Sequence, residues 1–169
     1  MFYACSTRGK ERIMGMRILI ALDDSENAMR AAEFVAGNFT PEHQITIFSV
    51  FLDTAMICDY YSPGLTPYFL TEQKSFCDLE DKRRAALKSI QEKAKALFLG
   101  AGFPEESINI KMKAKSRGVA RDIIDEATSG YQIVVLGRRG LSGIGEFFLG
   151  SVSQKVLHGC KEASILLVS

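Results

Sequence analysis

Histidine is scarce in this chain and cysteine is scattered. There are two histidines, His43 and His158, and four cysteines, Cys5, Cys58, Cys77 and Cys160. No two cysteines form a CxxC pair, so the spacing of a zinc site is missing. Nothing in a chain of this size supports a disulfide framework, and the expectation is reduced thiols in a cytoplasm. Charge of one sign is lacking as well: 21 Lys and Arg stand against 20 Asp and Glu, for a net charge of +1. No basic tail or stripe calls for nucleic acid, and no acidic tract suggests disorder. No apolar run approaches the roughly 18 residues of a membrane span. The opening stretch, MFYACSTRGKERIMG, has no apolar core of a signal peptide and no periodicity. It is expected to be an extension over residues 1–15, outside one domain over 16–169, with Met14 or Met16 as alternative starts. Nucleophilic triads and paired carboxylates at strand ends are also missing, so an enzyme is not expected.

What remains is apolar and periodic. Hydrophobic residues make up 47% of the 169 residues, enough for the core of one domain. RILIALD, from Arg17 to Asp23, is a short apolar run without polar alternation, as in a strand buried on both faces. Asp24 or Ser25 can cap a helix running to about Asn38, with Ala28, Ala32, Val35 and Phe39 on one side. QITIFSVF, from Gln44 to Phe51, is the second strand. An aromatic, proline-bearing loop over residues 52–71 follows, a lid or a contact surface. The longest helix is expected from about Ser75 to Leu99. Its stripe is Phe76, Leu79, Leu87, Ile90, Ala94 and Leu97, and Gly100 is its stop. SINIKMKA alternates like a strand near a sheet edge. GVARDIIDEAT is a short helix, QIVVLG a fourth strand, Ser151 to His158 a helix, and ASILLVS a fifth strand.

Strands joined by helices imply right-handed crossovers and a parallel sheet covered on both faces. Ligands of such sheets bind beyond the carboxyl ends of the strands, where strand order reverses. Two loops at such ends stand out: Asp23-Asp24-Ser25 after the first strand, and the segment GRRGLSGIGEFFLGS after the fourth. The second holds Gly137, Gly140, Gly143, Gly145 and Gly150. That is too much glycine for a helix and too little polarity for a linker. A backbone without Cβ atoms lets phosphate approach N–H groups, and a helix start adds unpaired donors. Ser151 and Ser153 can add hydroxyl donors, and Arg138 and Arg139 can add charge. The spacing is neither a P-loop nor a dinucleotide GxGxxG. A plain strand-to-helix loop remains the alternative, as does simple helix capping for Asp23.

Gly137-x2-Gly140-x9-Gly150-Ser151 matches, without gaps, the G-x2-G-x9-G-[S/T] signature of the ATP-binding branch of the universal stress protein family. ILIALDDSENA resembles that family's first strand and loop, and ASILLVS its last strand. The resemblance covers about Met16 to Ser169. It implies an α/β fold with an open five-stranded parallel sheet in the order 3-2-1-4-5, helices on both faces, like the adenine nucleotide alpha hydrolases. It puts adenosine near Ala21, Leu22, Asp23 and Val50. Ribose and phosphates would lie along Leu136, Gly137, Gly140, Gly150, Ser151, Val152 and Ser153, with Arg138 and Arg139 adding positive charge. Asp24 stands where the family often has Gly, and it adds an opposing charge at the mouth. The implied cofactor is ATP carrying a divalent cation, Mg or Mn. The implied partner is a second copy, joined through the carboxyl-terminal strand. The implied role is regulatory, with slow hydrolysis at most. The alternative is a dimeric interaction module whose site is empty or holds another nucleotide.

Overall fold

The computed structural model describes residues 15–138 and 149–169. Five strands, β1 (Arg17–Ala21), β2 (Gln44–Phe51), β3 (Ile108–Ala114), β4 (Ile133–Gly137) and β5 (Ser164–Val168), form one sheet in the order β3-β2-β1-β4-β5. All neighbours run parallel; Ile20, for example, faces Ile47 on one side and Val135 on the other. The expected fold class and strand order are those observed. Residues 1–14 and 139–148, with Arg139, Gly140, Gly143 and Gly145, lie outside the described residues.

The unalternating apolar runs arise because both sheet faces are covered. Ile18 and Ile20 of β1 turn to one face, Leu19 to the other, and all three are fully buried. On the first face lie α1 (Glu26–Asn38) and α3 (Pro67–Gly100), burying Ala28, Ala32, Val35, Ala94 and Phe98. On the second lie α4 (Val119–Ala127) and α5 (Ser151–Gly159), burying Ala120, Ile123, Ala127 and Val156. Ser25 caps α1, its hydroxyl accepting from the Ala28 N–H at 3.2 Å. Among the described residues, no helix is long and apolar enough to cross a membrane.

Several expectations need correction. The longest helix starts at Pro67, not near Ser75, because Thr66 caps it and Pro67 fits the first turn. The preceding segment is not a continuous loop, since a single helical turn, α2 (Ala55–Cys58), lies within it. The early stripe of α3 is not core either: Leu79 is exposed, and burial begins at Glu80. The helix ends at Gly100 itself, and Ala101 rather than a glycine is its C-cap. Gly102 turns to φ +88° and lets the Phe103 N–H reach the Phe98 carbonyl at 3.0 Å, a turn that favours glycine. The thiol expectation fails at two positions. Cys58 and Cys77 are disulfide-bonded, with Cα atoms 5.9 Å apart. The single turn of α2 packs on the early part of α3, a juxtaposition that sequence spacing alone does not reveal. Cys160 is a free thiol.

Candidate functional site

The carboxyl ends of β1, β2 and β4 open into one cavity of about 490 Å³. That volume suits a small-molecule ligand. The strand order explains its place: β1 sends its chain to α1 on one face, and β4 sends its chain to α5 on the other. A crevice must open where the two crossovers part. Ala21 and Leu22 of the β1 end, Val50 of β2, and Leu136 and Gly137 of β4 line its floor. Leu22 stays in register past the strand end, its N–H donating to the Phe48 carbonyl at 2.8 Å. The Ser49 hydroxyl donates to the Leu22 carbonyl at 2.8 Å and locks the two ends together.

Asp23 and Asp24 stand at the mouth of this cavity. Asp23 is not free: its Oδ1 accepts from the Ser25 N–H at 3.2 Å and from the Ser25 hydroxyl at 2.5 Å. Asp23 thus holds the residue that caps α1, in the manner of an Asx turn. Across the crevice, Gly150 is the N-cap of α5, with no side-chain cap hydrogen bond. Gly150, Ser151, Val152 and Ser153 line the cavity there. The first N–H groups of a helix lack intrahelical partners, and the dipole favours an anion at this end. The two ends of the glycine segment meet, because the Gly150 N–H donates to the Arg138 carbonyl at 3.0 Å.

Two of the residues implied by the resemblance stand differently from expectation. The Ser153 hydroxyl gives its proton to the Gly137 carbonyl at 2.9 Å and is buried, so it is not an available donor. Arg138 is half-buried, and its backbone N–H donates to the Val168 carbonyl at 2.6 Å, yet it does not line the cavity. Gly137 has a packing reason of its own. A Cβ there would sit 2.9 Å from the backbone C and O of Asn27, in the first turn of α1. Close approach of β4 to α1 therefore demands glycine, whatever binds. Arg139 and Gly140 are not among the described residues.

Positive charge on the cavity wall comes from residues that sequence reasoning missed. Arg83 and Arg84 of α3, and Lys115 after β3, line it beside Glu80. The Arg84 guanidinium lies 4.3 Å from the centre of the Phe51 ring, a cation–π contact at the end of β2. Arg83 pairs with the nearly buried Glu80 at 2.6 Å. The Lys115 N–H donates to the Phe51 carbonyl at 2.7 Å and carries the β2–β3 pairing past the strand. Behind Lys115, Asp122 is fully buried and anchors the turn into α4. Its carboxylate accepts from the Ser116 N–H at 2.9 Å and the Arg117 N–H at 3.3 Å. Burial pushes this carboxyl up, but those backbone donors and the Lys113 ammonium outweigh it and hold it below the ordinary carboxylate range. The sequence signal was the basic run Lys82-Arg83-Arg84, which becomes informative only once α3 is known to cross the cavity.

Comparison with known proteins gives one family. The sequence profile of the universal stress protein family matches residues 14–168. A universal stress protein from Synechocystis is 28% identical over 158 residues, 90% of this chain and 96% of that protein. Among solved structures, the hypothetical protein MJ0577 superposes with a TM-score of 0.67 at 22% identity, covering 92% of this chain and 96% of its own. A universal stress protein solved in complex with cAMP gives a TM-score of 0.60 at 16% identity, covering 92% and 97%.

Proposed function

The chain belongs to the universal stress protein family, and from that premise we propose that it is a regulatory protein that binds ATP in the crevice between β1 and β4. One observation carries this reading. The β1 loop and the uncapped start of α5 line the same cavity, although about 130 residues separate them in sequence. Adenosine would lie against Ala21, Leu22, Asp23 and Val50. Ribose and phosphates would follow Leu136, Gly137, Gly140 and Gly150 to Val152, meeting backbone N–H groups at α5. Arg138 and Arg139 would act on the outer phosphates rather than from the cavity wall. Among the described residues, no three His, Cys, Asp or Glu side chains gather as a metal site. The Mg or Mn ion of this proposal is one carried on the phosphates. The role in this proposal is regulatory and non-catalytic, with hydrolysis slow at most.

The same reading makes the protein a homodimer through β5. That strand pairs only with β4 among the described strands and forms the sheet edge. An edge of Ser164–Val168 offers unpaired N–H and C=O groups to the same strand of a second copy. A cytoplasmic setting belongs to this proposal through the family alone, since the Cys58–Cys77 disulfide is an exception to the reduced thiols of that compartment. The competing reading is a dimeric module with an empty site or another nucleotide, and the structural relative that carries cAMP favours the latter form. Denaturing the purified protein and separating what it releases tests between them. Released ATP or ADP supports the proposal; released cAMP supports the alternative.

A further inference from the structure

The chain leaves β2 at Phe51 and Leu52 and returns to the cavity wall at Glu80, Arg83 and Arg84. Between these points, residues 53–79, nothing is buried. Burial in α3 begins only at Glu80. Hydrophobic burial therefore does little to hold this stretch in place, and segments with few buried contacts open at low cost. Two links fasten it. The Gln73 side-chain amide donates to the Ile57 carbonyl and, at 2.9 Å, to the Tyr60 carbonyl. The stronger link is covalent, the disulfide between Cys58 of α2 and Cys77 of α3. Both cysteines are half-buried, so a small thiol can reach them. Cys77 lies one helical turn before Glu80 and two turns before Arg84. The stapled stretch thus begins and ends at residues that line the cavity. Its two ends touch, through Arg84 over Phe51.

We infer that Cys58 and Cys77 form a reversible redox site that sets the rim of the nucleotide cavity, with a dithiol reductant as its reaction partner. A reductant thiolate attacks one sulfur, forms a mixed disulfide and displaces the other cysteine as a thiolate, which takes up a proton. The second reductant thiol then displaces the first cysteine, so the reductant leaves as its own disulfide and two electrons pass to the protein. Oxidised, the stretch is stapled and the rim at Leu52, Glu80 and Arg84 is preorganised for ligand. Reduced, residues 53–79 loosen and the ligand must order them on binding, which costs affinity. This inference deepens the nucleotide reading and rests on it for the ligand. By linkage, bound nucleotide protects the disulfide from reduction by the same factor.

The test uses the full chain, oxidised or treated with dithiothreitol. Thiol titration should lose two of the four thiols on oxidation. Hydrogen exchange should speed up on reduction across 53–79 and at the rim. ATP affinity should fall about fivefold or more. The Cys58→Ser, Cys77→Ser double variant should behave as the reduced chain and ignore the reductant. If that variant does not fold, the reduced and oxidised natural chains carry the comparison alone. Four titratable thiols under oxidising conditions, unchanged exchange at the rim, or equal ATP affinity in both states would each overturn the inference. If exchange at the rim responds to reduction but neither state binds ATP, the nucleotide reading fails and the redox control of the rim stands.

Discussion

Replacing Gly137 by alanine separates two reasons for the glycine at the end of β4. The packing reason is geometric. The new Cβ would lie 2.9 Å from the backbone C and O of Asn27 and 3.1 Å from its Cβ. Two of these three atoms are backbone in the first turn of α1, which Ser25 caps from one side and the buried Ala28 anchors from the other. They cannot rotate away as the tip of a side chain would, so β4 and α1 must separate. Overpacking of this kind costs roughly 2 kcal/mol. For a domain of this size that lowers Tm by roughly 4–8 °C. Gly150→Val is the contrasting change. Gly150 has φ −59° and ψ 148°, which any residue adopts, so the fold should lose less than about 1 kcal/mol. If phosphate approaches the backbone there, ATP affinity should nevertheless fall at least tenfold, about 1.4 kcal/mol. Thermal melts by circular dichroism and calorimetric titration read both variants. A Tm of Gly137→Ala within a degree or so of the natural protein would refute the packing argument, and an unchanged ATP affinity in folded Gly150→Val would refute the cradle.

Asp122→Asn should cost about 1–3 kcal/mol at neutral pH, because one carboxylate serves both the Ser116 and Arg117 N–H groups. The carboxyl is held low in the fold, so its contribution is present above the ordinary carboxylate pKa and fades as pH falls through the folded value. The gap between variant and natural protein in denaturant titrations should therefore shrink below about pH 4. A gap that widened in acid would contradict the sign. Arg138→Ala with Arg139→Ala should weaken ATP more than adenosine, since only ATP offers phosphates; equal losses would place the arginines elsewhere. Leu167→Pro removes one edge N–H from β5 and should shift the protein toward monomer in light scattering, whereas a natural protein that is already a monomer at micromolar concentration would remove the dimer from the account.

Much of the fold is legible in the sequence because both faces of the sheet are covered. ILIA of β1 and IVVLG of β4 are apolar without a break, which fits a strand inside a parallel sheet and little else of that length. Ser25 followed by Glu26 and an alanine-rich face marks α1 equally well. The glycine spacing and the first strand's aspartate point to one crevice, and the structure brings Asp23, Gly137 and Gly150 to one cavity. The region between β2 and β3 reads poorly for a physical reason. Nothing from Asp53 to Leu79 is buried, so no periodicity records its contacts. The Thr66-Pro67 cap was a local signal for the start of α3, but the aromatic residues around it read as loop. The Cys58–Cys77 pairing depends on how α2 folds back, which spacing does not specify. Arg83 and Arg84 reach the cavity only because α3 crosses above β2, a tertiary fact. Ser153 shows the opposite case: a hydroxyl near a glycine segment suggests a phosphate donor, while in the fold this buried hydroxyl donates to the Gly137 carbonyl.

Calorimetric titration of the ligand-free, oxidised full chain with ATP and Mg tests the central claim most directly. The account predicts one ATP per chain with a dissociation constant in the micromolar range or tighter, about −8 kcal/mol, and clearly weaker binding of adenosine, which lacks the phosphates for the α5 end of the cavity. Absence of heat and of competition with either ligand, or adenosine binding as tightly as ATP, would contradict it.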